Sequence, residues 1–196
     1  RWGFSQRGSS QHELLPRKHP RGIAIEDCQT LVMGSIVLVG PMGAGKTTLG
    51  KRLAKVLDLP FVDTDKMVTA DHGSIKNLFA MKGEAHFRDL ESAALVTALN
   101  NQGVVATGGG IVLSQENRAL LSQNATIFLD TNMEFVLRSL NVSKRPLLKD
   151  NPEMWEQIYR DRLEFYREVS VATVNTANAS VGAIMKNLES EVRKYV

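Results

Sequence analysis

Between Gly40 and Thr48 the chain reads GPMGAGKTT, glycines set among small residues and closed by a lysine and two hydroxyls. Gly40-x-x-x-x-Gly45-Lys46-Thr47 is a complete phosphate-loop pattern, and it lies between an apolar run, 36–39, and a helical pattern, the context that pattern requires. Glycines allow successive backbone N–H groups to turn inward around phosphate oxygens, and the start of the following helix adds its partial positive charge. Gly43, Ala44, Gly45 and Thr48 belong to this cradle. Lys46 is placed to neutralise β- and γ-phosphates, and the Thr47 hydroxyl to ligate Mg²⁺. The bland alternative is a glycine-rich strand-to-helix turn with no ligand, and the lysine, the hydroxyl and both flanking elements weigh against it. Nucleoside triphosphate binding follows, but not its use: transfer to a small molecule, hydrolysis, or binding alone.

A second group lies at Phe61-Val62-Asp63-Thr64-Asp65. Residues i and i+2 of a strand point the same way, so Asp63 and Asp65 are expected to share one cleft. Two neighbouring carboxylates repel unless a cation or a donor sits between them. One then reaches Mg²⁺ and the other accepts from a substrate hydroxyl. The competing reading is a turn whose aspartates cap the next helix.

These residues need a scaffold. Strands are expected at 36–39, 61–63, 104–107, 126–129 and 173–175. A helix between the first two carries Leu49, Leu53, Val56 and Leu57 on one face, and the last stretch repeats the spacing with Val181, Ile184, Leu188 and Val192. Continuous apolar strands separated by helices imply an α/β sandwich, a parallel sheet covered on both faces, with ligands beyond the carboxyl ends of the strands. The 196 residues are 43% hydrophobic and 23% charged, which suits one domain able to bury a core. A formal charge of +3 is too weak to argue for nucleic acid. Cys28 is alone, and no apolar run approaches the roughly 20 residues of a membrane span. A cytoplasmic monomer without nucleic-acid or membrane partners is expected. Residues 1–32 show no sustained period; they read as a flexible extension, with Met33 a plausible original start. Glu13, Glu26 and Asp27 argue against an organelle-targeting leader.

Taken in order, VGPMGAGKTTLGKRLA, FVDTD, GEAHFRDLE at 83–91, ATGGG at 106–110, KRPLL at 144–148 and RLEFYREV at 162–169 resemble the shikimate kinase family. The motifs keep the family's order and cover the chain from about Ser35 onward. The resemblance implies a three-layer, five-stranded phosphate-loop architecture, similar to nucleoside monophosphate kinases, with a substrate-binding insert at about 66–95 and a mobile lid at about 139–153. It also implies transfer of the γ-phosphoryl of ATP to the 3-hydroxyl of shikimate. By the same resemblance Asp63 lies on the Mg²⁺ side and Asp65 holds the acceptor hydroxyl. Arg88 and Arg162 clamp the shikimate carboxylate, a task suited to the paired donors of a guanidinium. Glu91, three residues on, is close enough along a helix to hold Arg88. Gly108, Gly109 and Gly110 match a loop whose backbone approaches the substrate, where side chains are expected to crowd the ring. Arg145 belongs to the lid and counters charge on the transferring group. Arg138 falls where the family stacks an arginine on adenine.

The departures are Thr69, where family members usually carry glutamate, and Ser170-Val171, where they usually carry alanine–aspartate. His72 and His86 have no metal-ligand spacing. Trp155 and Tyr159, four apart, read as lid or helix packing. Other functions compete: a kinase for another hydroxy acid such as a gluconate-type sugar acid, a nucleotide-binding module without catalysis, and a hydrolytic switch. Lys46, Asp65, Arg88 and Arg145 are all present, against loss of catalysis.

Overall fold

The computed structural model describes residues 34–139 and 152–195. The expected extension at 1–32, and Arg145 with nearly all of the expected lid, lie outside them.

Five parallel strands form one sheet: β1 (Ile36–Val39), β2 (Phe61–Asp63), β3 (Val104–Ala106), β4 (Ala125–Asp130) and β5 (Ala172–Asn175), in the spatial order β2-β3-β1-β4-β5. β1 is central, and all four of its residues are buried. Ile36 and Leu38 face α1 (Lys46–Leu57) and the carboxyl-terminal helix, packing with Leu49, Leu53, Ile184 and Leu188. Val37 and Val39 face the opposite layer with Leu95, Phe128 and Tyr166. Burial on both faces explains why this strand reads as an unbroken apolar run. Each such side chain removed from water contributes roughly 1.5–3 kcal/mol.

Among the described residues the remaining α-helices are α2 (Thr64–His72), α3 (Ile75–Leu99), α4 (Gln115–Leu121), α5 (Met133–Ser139), α6 (Pro152–Val169) and α7 (Val181–Val192). Two residues assigned to helix faces sit elsewhere: Val56 is 50% and Val181 43% exposed. The buried face of α1 runs instead through Leu49, Gly50, Leu53 and Ala54. A Cβ at Gly50 would come within 2.7 Å of the Phe61 ring, so the helix lies too close to β2 for a larger residue. α3 is interrupted at Gly83, whose φ of 81° is open to glycine and strained for other residues. Leu78 before the break and Phe87 and Ala94 after it form a separate small core with Val68 of α2.

Candidate active site

The carboxyl edge of the sheet opens into a cavity of about 640 Å³. The phosphate loop forms one end. Gly43 and Gly45 have φ of 92° and 87°, the left-handed conformation that turns the chain around an anion-sized hollow. α1 then starts at Lys46 with no side-chain cap on its first N–H groups, leaving them to a ligand. Lys46 Nζ donates to the carbonyls of Gly40 and Pro41 at 2.7 and 2.8 Å. Gly43, Gly45, Lys46, Thr47 and Thr48 line the cavity, whereas Ala44 is buried in the core and is not among the lining residues.

Thr47 Oγ1 donates to Asp63 Oδ2 at 2.7 Å. The other oxygen of Asp63 accepts from the Lys66 amide at 3.2 Å and caps α2. The capping and cation-side readings of Asp63 are thus compatible. A hydroxyl and a carboxylate are hard oxygen donors, a pair that suits Mg²⁺ completed by phosphate and water. Asp65 corrects the strand argument. β2 ends at Asp63, and Asp65 stands in the first turn of α2, so helix geometry and not strand alternation brings it to the cavity.

The opposite end is built from side chains. Arg88 Nη1 donates to Glu91 Oε2 at 2.6 Å, and its other nitrogens reach Glu84 Oε1 at 2.9 and 3.3 Å. Glu91 is 2% exposed. Burial pushes its carboxyl above the ordinary glutamate value, outweighing the attraction of Arg88; Asp65 adds to the rise and Arg162 opposes it. Burial also works against the Arg88 cation, but hydrogen bonds and charge from Glu91 and Glu84 together hold its pKa higher still. Arg88 therefore stays charged. Arg162 Nη1 and the Tyr166 hydroxyl both donate to the Gly109 carbonyl, at 3.1 and 2.5 Å. Burial pushes the Tyr166 phenol up to about 12, with Arg162 opposing, so it remains a donor.

The three glycines answer to this packing. A Cβ at Gly108 would overlap Glu91 and lie 2.6 Å from Asp65 Oδ1, and one at Gly110 would overlap the Arg88 guanidinium. The crowding expected against a substrate ring is, at these two positions, crowding against the protein's own charged groups. At Gly109 the nearest atom is 3.5 Å away, ordinary contact.

Lys46, Thr47, Asp65, Arg88, Arg162 and Gly108 to Gly110 thus line one cavity, and Asp63 touches it through Thr47. Arg138 is not among the lining residues; it is exposed, pairs with Glu134 at 3.0 Å and donates to Asn178 at 3.2 Å on the loop after β5. Sequence reasoning missed the apolar wall of Ile75, Phe79 and Phe87, and the role of Tyr166. The i, i+4 spacing of Ile75 and Phe79 was the signal for the first. Tyr166 lay within a quoted motif, but its partner is a loop 57 positions away.

A phosphate cradle joined through a carboxylate to an arginine-lined pocket, on a five-stranded parallel sheet, defines a phosphate-loop kinase for a small anionic acceptor. The shikimate kinase family model matches residues 42–193. A shikimate kinase from Thioalkalivibrio sulfidiphilus is 40% identical over 165 residues, 81% of this chain and 87% of that protein. The structure of shikimate kinase from Acinetobacter baumannii in complex with shikimate has a TM-score of 0.73 at 34% identity, covering 83% of this chain and 92% of the other. A gluconokinase from Sinorhizobium meliloti, at 16% identity and a TM-score of 0.53 over 82% and 92% of the two chains, shares the fold alone. The chain belongs to the shikimate kinase family, enzymes that phosphorylate shikimate at the expense of ATP.

Proposed function

We propose that this chain uses Mg²⁺-ATP to phosphorylate the 3-hydroxyl of shikimate, with donor and acceptor meeting beside Asp65. The observation that carries the proposal is the single cavity running from Lys46 and Thr47 past Asp65 to Arg88 and Arg162. Lys46 and the loop N–H groups hold the β- and γ-phosphates. Thr47 and Asp63 would hold Mg²⁺, which would supply charge neutralisation for the transferring group. Arg88, aimed by Glu91, and Arg162 bind the substrate carboxylate, while Ile75 and Phe79 face its ring. Asp65 accepts a hydrogen bond from the attacking hydroxyl. As its oxygen bonds to the γ-phosphorus, the bond to the β-bridging oxygen breaks and ADP leaves. The hydroxyl proton passes to Asp65 late, since a loose transition state asks little early proton removal.

Arg145, carried over from the family motif, counters charge on the phosphoryl group in flight, and Arg138 stacks on adenine. The enzyme acts as a cytoplasmic monomer. Among the described residues no helix is long and apolar enough to cross a membrane. The test is ADP release with shikimate, quinate, gluconate or no acceptor. Shikimate-dependent turnover is expected; equal rates in all four mixtures overturn the assignment, and a preference for gluconate moves it to a sugar-acid kinase.

A further inference from the structure

Part of the phosphate loop is held by a residue that the reaction above does not use. A loop that turns its N–H groups inward to an anion turns carbonyls outward, and those need donors of their own. The Gly40 and Pro41 carbonyls accept from Lys46 Nζ, and Pro41 also from the Ala44 amide at 3.3 Å. The next carbonyl, Met42, accepts from the indole N–H of Trp155 at 3.0 Å, 113 positions along the chain.

The two side-chain donors differ in what else is asked of them. On the reading of this loop as an ATP site, Lys46 is shared with the phosphates, so its bonds to the loop compete with the ligand. Trp155 has one N–H and no phosphate to serve. Its ring is only 4% exposed and lies parallel to Tyr159, with centroids 5.3 Å apart and planes 8° from parallel. The Tyr159 hydroxyl in turn donates to Asp130 Oδ1 at 2.9 Å, at the end of β4, one strand from the loop. Met133 and Val136 complete a small apolar cluster around Trp155. Val136 also presses on the loop itself, since a Cβ on Gly43 would lie 2.7 Å from its Cγ1. The indole is thus anchored to the sheet on one side and to the loop on the other.

We propose that Trp155 is a positioning residue for the phosphate loop, its N–H fixing the Met42 carbonyl while Lys46 turns to the phosphates. The proposal rests on the loop being the ATP site. Its test replaces Trp155 in the full chain by β-(3-benzothienyl)alanine, which keeps both rings and removes only the N–H, in a Trp2→Phe background. Trp155→Phe is the second variant. ADP and shikimate are titrated separately by calorimetry, beside thermal melts. The ADP dissociation constant is expected to rise about fivefold to tenfold, because a loop no longer held at Met42 must be ordered by the ligand, with shikimate binding unchanged and Tm lowered by only about 2–4 °C, the loss of one net hydrogen bond. Unaltered ADP affinity overturns the proposal. So does a parallel loss of ADP binding, shikimate binding and Tm, which marks Trp155 as packing alone. If the Trp2→Phe protein with Trp155 intact fails to bind ADP, the ATP-site reading itself falls, an outcome distinct from the other two.

Discussion

The phosphate end of the cleft is made chiefly of backbone, positioned by left-handed glycines on a strand and helix that are themselves core, whereas the acceptor end is made of side chains drawn from α2, α3, α6 and the loop after β3. The contrast has an energetic basis. Backbone N–H groups are fixed once the loop folds, so a phosphate finds its donors already aimed. A guanidinium carries several rotatable bonds and must be held by its neighbours. Arg88 is held by Glu91, Glu84 and the absence of a side chain at Gly110. The two ends should therefore fail differently: the phosphate end through its loop, the acceptor end through any one of several side chains.

The largest expected effect lies where the ends meet. Asp65→Asn keeps shape and much hydrogen bonding but removes the charge, so kcat should fall on the order of a thousandfold, within the range of general acid–base contributions. Calorimetry should still detect both ADP and shikimate. Near-normal kcat would show that Asp65 belongs to the scaffold and that the division between the ends has no reacting group at its centre.

Gly110→Ala probes the acceptor end alone. Gly110 has φ of −96°, open to alanine, so the backbone need not change. The new methyl would displace the Arg88 guanidinium, the far end of a flexible side chain. Overpacking of this kind costs typically about 1–3 kcal/mol, and most of it should appear as weaker shikimate binding, with ADP affinity and Tm nearly constant. A matching fall in ADP affinity would mean that the ends are mechanically one unit.

The same contrast explains what was legible in the sequence. The phosphate loop could be read from one short stretch because its chemistry depends on glycine conformation and on a helix starting at Lys46. β1, β3 and β4 could be located because burial on both faces leaves continuous apolar runs, whereas the edge strands β2 and β5 are only partly buried. At the acceptor end Arg88 and Arg162 were found through family resemblance, while the packing of Gly108 and Gly110 against the protein's own side chains was not foreseen. Their neighbours are Asp65, Glu91 and Arg88, all on α2 and α3 and far from this loop along the chain, and no local pattern reports such contacts. Asp65 was placed in the cleft for the wrong reason, because three residues of β2 gave no sign that the chain turns helical at Thr64. Val56 was misassigned because it lies at an edge of its helical stripe, and Val181 because it is the first residue of its helix, where a spacing rule cannot tell that the stripe is not yet covered.

The smallest effect concerns the carboxylate that holds Arg88. Glu91 is buried, and burial raises its pKa above the ordinary glutamate value despite the nearby arginine. For an acid whose folded pKa is raised, the proton favours the folded state. That contribution is fully present below the unfolded pKa, about 4.3 for glutamate, and is lost as pH rises through the folded value. The amide introduced by Glu91→Gln cannot ionise and loses nothing over that interval. The stability of the parent protein relative to Glu91→Gln should therefore decline as pH rises from below about 4.3 toward neutrality, by at most about 1 kcal/mol, the scale of an ordinary single substitution. Thermal melts of the two proteins across that range measure the difference. A gap that instead widened in favour of the parent would show that attraction to Arg88 outweighs burial, making the pair a net source of stability. The predicted decline would mean that the acceptor end gives up stability in order to keep a guanidinium aimed before any substrate arrives, something the phosphate end, aimed by its backbone, has no need to do.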